Sequence, residues 1–254
     1  DRFLSIVLIS LGAGAVSLMA LPFFPVPVAA AWPWLLLSVV LHVGYKMFLV
    51  KAYHAGDLAQ VYSVARGTAP LLVCAAMFLL FDEAISPMGL AGVFVLVCGI
   101  WLMCVRGGRE ASRLQVQAVV YALITSVFIA SYTIADGIGA RANGAAHGYA
   151  VWMFFLDSCL MLVIFLVRYG SRGWKILARG RGEALGGGAM MVNSYWIVIW
   201  AMTVAPIALV SALRESSVLF ATLISVLILR EPLSFWRMMS AVTIVAGILI
   251  ARLA

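Results

Sequence analysis

Leu209–Ser234 reads LVSALRESSVLFATLISVLILREPLS, and the rest of the chain is understood through it. The run is long and apolar enough to enter a bilayer. It nevertheless holds Arg214 and Glu215, and it closes on Arg230-Glu231-Pro232. A charge at the centre of a membrane helix costs about 2.5–3.5 kcal/mol on insertion scales, so such residues are functional candidates by default. The same design stands earlier at Tyr62–Ser86, YSVARGTAPLLVCAAMFLLFDEAIS, around Arg66 and Glu83. An offset of 148 residues converts one stretch into the other: Ser63 to Ser211, Arg66 to Arg214, Leu71 to Leu219, Leu79 to Leu227, Glu83 to Glu231 and Ser86 to Ser234. Gly99 and Ile100 continue to Gly247 and Ile248 without a gap. The chain therefore reads as two copies of one unit.

Composition fixes the class. Of 254 residues, 65% are hydrophobic and 11% charged, and the mean hydropathy is +1.11. Soluble domains are about 45–50% apolar and about 25% charged. The chain is expected to be an all-α polytopic membrane protein in contact with the lipid bilayer. Its net charge of +7 comes mostly from residues in loops between apolar runs, which reflects membrane topology. No basic-aromatic recognition patch exists, so nucleic acid is not expected as a partner. Cys74, Cys98, Cys104 and Cys159 lie in or at the edge of apolar runs and form no CxxC or Cys/His pair. No metal, cofactor or disulfide is expected from them. There is no HExxH, GxSxG, DDxxD or P-loop, and His42, His54 and His147 are scattered, so an enzyme is not expected.

Spanning the hydrocarbon layer takes roughly 20 apolar residues, and a spanning segment must be helical to satisfy its backbone. Nine runs qualify: Phe3–Leu21, Trp32–Val50, Leu58–Phe81, Met88–Val105, Val116–Ala140, Tyr149–Val167, Leu185–Met202, Ile207–Leu229 and Phe235–Leu253. The polar linker RGGREASR divides them into four and five. Residues 1–106 are read as a first repeat, 107–115 as the linker and 116–254 as a second repeat. Subtracting 148 maps the sixth run onto the first and leaves the fifth without a counterpart. One helix is therefore expected to precede residue 1, giving five plus five. An odd number of helices per half inverts the second half relative to the first, as in many secondary transporters. A homodimer is one arrangement the sequence allows.

FLLFDEAIS and LILREPLS end matched helices; VARGTAP and ALRESS precede them; VFVLVCGIWLM and VTIVAGILIA carry the glycine of each final helix. With SYTIADGIGAR at the start of the second half, these segments resemble EamA-like ten-helix permeases of the drug/metabolite transporter superfamily, over nearly the whole chain. Ala84 stands where many members have a larger residue. The resemblance implies two antiparallel five-helix halves around a central cavity, working by alternating access. It implies that the third and eighth helices face each other across that cavity, with the fourth and ninth peripheral. The expected activity is secondary active transport of a small polar or amphiphilic metabolite across the inner (plasma) membrane. The alternatives are an exporter of cationic or aromatic drugs and a non-transporting membrane scaffold.

The candidate binding residues are Tyr62, Arg66, Tyr132, Asp157, Asn193, Trp196, Arg214 and Glu215. Arg66 and Arg214 each lie two to three turns into a span, beyond easy snorkelling. Their guanidinium groups can bind a carboxylate or phosphate bidentately, or tie the halves together through Glu215 or Asp157. Glu215 is either a proton-coupling carboxylate or the permanent partner of Arg66. Arg214 and Glu215, about 100° apart on a helix, are not expected to aim at one spot. Tyr62 and Arg66 share a face, as do Tyr132 and Asp136. Asp136 lies toward the end of its run, which makes the central Asp157 the stronger candidate. Asn193, Trp196 and Trp200 form a stripe suited either to an aromatic or cationic solute or to packing at the membrane interface. Lys46 is expected to snorkel toward the Lys51 interface. Glu83 and Glu231, at span ends, are expected to be structural, either capping the following helix or anchoring the interface.

Arg168, Arg172, Lys175, Arg179 and Arg181 fall in one loop, and Arg106, Arg109 and Arg113 in another loop of the same set. The opposite loops hold Arg141 and Arg252 with Asp82 and Glu83. Excess Lys and Arg marks the cytoplasmic side. A protease added outside sealed right-side-out vesicles should leave the 168–184 loop uncut, and one added to inverted vesicles should cleave it; the reverse pattern would refute this orientation.

Overall fold

The computed structural model describes residues 2–56, 58–81, 83, 85–106, 116–170, 180–217, 219–220, 223–224 and 235–253, although some side chains within them are not described. Nine α-helices and no strand occur among the described residues. They are α1 (Arg2–Ala20), α2 (Trp32–Ala55), α3 (Leu58–Leu80), α4 (Pro87–Arg106), α5 (Val116–Asn143), α6 (Ala146–Tyr169), α7 (Arg181–Val204), α8 (Ile207–Arg214) and α9 (Phe235–Arg252). Short 3-10 turns at Leu21–Phe23 and Ala29–Ala31 bracket the segment holding Pro25 and Pro27. Proline lacks a backbone N–H and suits such a break.

Among the described residues, five segments are long and apolar enough to cross a membrane: Arg2–Phe23, Ala29–Ala55, Val116–Asn143, Ala146–Tyr169 and Ala184–Val204. Val64–Leu80, Pro87–Leu102 and Phe235–Ala251 are shorter apolar helices. The chain is an all-helical polytopic membrane protein. Large apolar side chains stay on the outside, as on Phe78, Leu79, Phe94, Val163 and Met190. In lipid these positions carry no penalty.

Helix positions repeat at the offset of the sequence. Adding 148 carries α1 to 150–168, inside α6; α2 to 180–203, one residue from α7; and α4 to 235–254, which starts with α9.

The eighth helix departs from the expected single run. Regular α-helix ends at Arg214, and Glu215 and Ser216 form a turn. The Glu215 N–H donates to the Ala212 carbonyl at 3.0 Å, an i−3 bond where the helix would use i−4. Residues 225–234, including Arg230 and Glu231, lie outside the described residues.

The chain forms two compact units. One comprises Asp1–Val50 and Ser131–Val204, the other Lys51–Ala130 and Ala205–Ala254. In the first, α1 packs on α6 and α7 through small residues. A Cβ on Gly12 would strike the Ala184 carbonyl, one on Gly188 would strike the Gly12–Ala13 backbone, and one on Gly14 would strike Ser158. Membrane helices approach closely at such positions. Phe3, Val7, Met161 and Phe165 form the apolar core beside them, and the Arg168 guanidinium lies 4.5 Å above the Phe3 ring.

In the second unit α4 and α9 cross antiparallel. Gly92 faces Ala251, Leu96 faces Gly247, and Gly99 faces Ile244 and Ser240. This crossing also obeys the offset. Gly99 becomes Gly247, while Ile244 and Ser240 become Leu96 and Gly92, the residues that Gly247 meets. On α5, the Ser126 hydroxyl donates to the Ala65 carbonyl of α3 at 3.0 Å.

Glu83 bonds to a helix distant in sequence. Its Oε2 accepts the Ile207 N–H at 2.9 Å, at the start of α8. The Ser86 hydroxyl caps α4 by accepting from Gly89 N at 2.9 Å. Glu231 is not described.

Gly12→Ala should lower the thermal midpoint in detergent, since overpacking at backbone contact costs about 1–3 kcal/mol. Gly186 has open space around its Cβ position. Gly186→Ala should therefore raise stability, by up to about 1 kcal/mol of helix propensity.

Candidate functional site

Polar groups inside the first unit gather on four helices. α2 contributes Ser38, His42 and Lys46, spaced four apart and so on one face. All three are buried. α5 contributes Tyr132 and Asp136, α6 contributes Tyr149 and Asp157, and α7 contributes Tyr195.

Lys46 Nζ lies 2.5 Å from Asp157 Oδ2, with both side chains at most 3% exposed. Lys46 therefore does not snorkel toward Lys51; its ammonium is held inward by a carboxylate. The other oxygen, Asp157 Oδ1, is buried and accepts no hydrogen bond from the described residues. A lone buried acceptor on a charged group is costly and is a place where a donor on a ligand would be favoured.

Asp136 is the centre of the remaining bonds. Its Oδ1 accepts from the Ser38 hydroxyl and, at 3.3 Å, from Tyr149. Its Oδ2 accepts from the Tyr195 hydroxyl at 2.7 Å. His42 Nε2 stands 4.0 Å from Oδ2. Far from being marginal at a span end, Asp136 is completely buried. α5 continues to Asn143, so the residue lies well inside the helix.

Aromatic rings enclose this cluster. Tyr132 stacks on His42 with centroids 3.9 Å apart. Tyr45 and Tyr195 meet Tyr132 edge-on at 5.6 and 6.1 Å, and Phe154 meets Tyr195 at 6.1 Å.

Asn193 and Trp196 belong elsewhere in the same unit. With Phe24, His147, Ile197 and Trp200 they line a cavity of about 410 Å³. The Trp196 indole N–H donates to His147 Nδ1 at 2.5 Å, and Phe24 packs edge-on against Trp196 at 5.6 Å. The Asn193 amide donates to the Ala189 carbonyl of its own helix at 2.8 Å. Tyr195 faces the polar cluster and Trp196 the cavity, because adjacent helical residues point about 100° apart.

The second unit holds the charged pair that the repeat singles out. Arg66 Nε donates to Glu215 Oε2 at 2.9 Å, and Arg214 Nε lies 3.4 Å from Glu215 Oε1. Glu215 is fully buried. Arg214 and Glu215 do meet, against the expectation from helical geometry: their long side chains converge although Glu215 keeps a helical φ of −71°. One carboxylate thus receives both matched arginines. The Tyr62 side chain lies outside the described residues.

The expected contact of Arg66 with Glu215 is present, whereas the contact of Arg214 with Glu215 was not expected. The sequence reading did not bring out Ser38, Asp136, Tyr149 and Tyr195 as one cluster. The available signal was the four-residue spacing of Ser38, His42 and Lys46 within an apolar run.

Residues 116–253 match the family described as the EamA-like transporter family. A solved structure titled only "Crystal structure of protein" is similar over 100% of this chain and 89% of its own, with a TM-score of 0.75 and 21% sequence identity. That likeness concerns the fold. No curated protein sequence matches the chain.

Removing one partner of a buried ion pair strands the other, at a cost of about 3–5 kcal/mol. Lys46→Met and Asp157→Leu should each destabilise the protein by about that much in a detergent unfolding assay, while the double variant should recover most of the loss. Additive losses would mean that the pair is not coupled.

Proposed function

This chain belongs to the EamA-like transporter family, of the drug/metabolite transporter superfamily, and from that premise we propose that it carries a small polar metabolite across the inner membrane by alternating access. The family membership makes it a membrane transporter. The solute class, the mechanism and the membrane are the proposal. The observation that carries it is the buried Lys46–Asp157 pair with Asp157 Oδ1 left as an open acceptor. Burying such charges among apolar helices is costly. A carrier has a use for them, because a polar solute that sheds its water must find ionic and hydrogen-bonding groups. Asp157 offers an acceptor to a solute N–H or O–H.

Arg66 and Arg214 suit a solute carboxylate or phosphate when their shared grip on Glu215 loosens. In the state described here Glu215 accepts from both, a clasp that stabilises this conformation. We take Tyr132 as a wall of the polar cluster and the inversion of residues 1–106 and 116–254 as the source of two equivalent end states. A second reading is export of aromatic or cationic compounds. It has the 410 Å³ cavity of Phe24, His147, Asn193, Trp196, Ile197 and Trp200 in its favour.

A thermal-shift screen of metabolites on the purified protein identifies the solute, and counterflow in proteoliposomes measures its movement. Wild type should exchange the stabilising solute. Asp157→Asn and Arg66→Ala should each insert and purify, yet lower the exchange rate about tenfold or more, as expected for loss of a charge-assisted hydrogen bond. Undiminished exchange by both variants would remove the site, and stabilisation only by lipophilic cations would favour the second reading.

A further inference from the structure

The hydrogen atoms around His42 can be assigned from their neighbours. His42 Nδ1 lies 3.0 Å from the Ser38 carbonyl oxygen and 3.1 Å from the Ser38 hydroxyl oxygen. The Ser38 hydroxyl spends its hydrogen on Asp136. Both neighbours of Nδ1 are therefore acceptors, and Nδ1 carries a hydrogen. That leaves Nε2 facing Asp136 Oδ2 at 4.0 Å. A neutral ring would turn a lone pair toward a carboxylate in a site closed to water. A doubly protonated ring would instead place opposite charges there.

The surroundings select between these forms. The groups facing the ring are Ser38 and Lys46 on its own helix, Tyr132 and Asp136 on α5, Asp157 on α6, and Tyr195 on α7, with Tyr149 of α6 reaching Asp136 from behind. Lys46 is committed to Asp157. Among the described residues, His42 is the base that remains next to Asp136. Three hydroxyls donate to Asp136, which is the shell of a carboxylate. The Tyr132 ring lies flat on the imidazole at 3.9 Å, an arrangement that attracts a cation. His42 and Asp136 are at most 4% exposed, so the centre is closed around groups already in contact. The positive species that fits is a proton.

We propose that His42 and Asp136 form a buried proton-binding centre, and that the proton is the ion this carrier couples to its solute. The coupling part rests on the transporter reading above. The proton comes from water when the centre is open to one side, resides as the second N–H of His42, and returns to water on the other side. Asp136 remains a carboxylate throughout. Because its oxygens hold Ser38, Tyr149 and Tyr195 from three helices, the proton on His42 stabilises the closed packing of α2, α5, α6 and α7.

The test uses the full chain in detergent with histidine labelled with nitrogen-15. The chain has three histidines; His54 and His147 are exposed, so His54→Gln/His147→Gln leaves His42 as the reporter. Near neutral pH its two ring nitrogens should both carry hydrogen. In the same background Asp136→Asn should lose that signal and give the neutral Nδ1–H form. A neutral His42 in the reporter protein overturns the proposal, and this reading does not depend on whether Asp136→Asn folds. In proteoliposomes, an imposed pH gradient should accelerate uptake of the solute found in the screen, and His42→Gln should abolish that acceleration. Uptake by the parent protein indifferent to the gradient overturns the coupling. Wild-type counterflow that never appears strikes the transporter reading instead, and leaves a charged His42 as evidence for the proton site.

Discussion

A charge in a dry interior must be neutralised by a neighbour, and this constraint organises the polar groups of the chain. Desolvating a single ion costs several kcal/mol even after the protein relaxes. The first unit answers with Lys46 against Asp157 and with three hydroxyls on Asp136. The second answers with two arginines on Glu215. Each group of charges draws on more than one helix. Their pairing therefore specifies how helices pack where apolar surfaces alone would slide. In lipid, apolar contact between helices has little driving force, so small residues and buried polar pairs carry that specificity.

The two devices are used in different ways. Glycines set contact distances: Gly12, Gly14 and Gly188 in the first unit, and Gly92, Gly99 and Gly247 in the second, admit neighbouring backbone or short side chains. Polar side chains fix rotation and depth. Tyr195 illustrates the point, since its bond to Asp136 turns α7 so that Trp196 faces the aromatic cavity. The α4–α9 crossing is related to itself by the 148-residue offset, whereas the His42–Asp136 cluster is not. Lys46 maps onto Ser194 and His42 onto Met190. The α4–α9 contact is thus a repeated feature, and the contacts of Lys46 and His42 are not.

Much of the fold was legible because it is written in local composition. Long apolar runs bounded by proline, tryptophan and basic residues give helix positions within a few residues for every run but Ile207–Leu229. The matched arginines also led to the contact of Arg66 with Glu215. Two local rules misled. Distance from Lys51 suggested that Lys46 would reach for the interface, yet a carboxylate of α6 is closer than water. Helical spacing kept Arg214 and Glu215 apart, yet both side chains are long enough to converge. Asp136 was undervalued because its run looked shorter than the helix it belongs to.

The sequence by itself determined that this is a polytopic helical membrane protein with an internal repeat, because hydropathy and an offset are properties of residues in order. It also determined the family, because the repeated segments are distinctive. Only the tertiary structure decided which charges neutralise which, that Ser38, Tyr149 and Tyr195 converge on one carboxylate, and that the arginine helix breaks at its glutamate. Those facts depend on the rotation of helices about their axes. Apolar runs leave that rotation open, and it is fixed by glycine contacts and polar bonds between residues far apart in the chain.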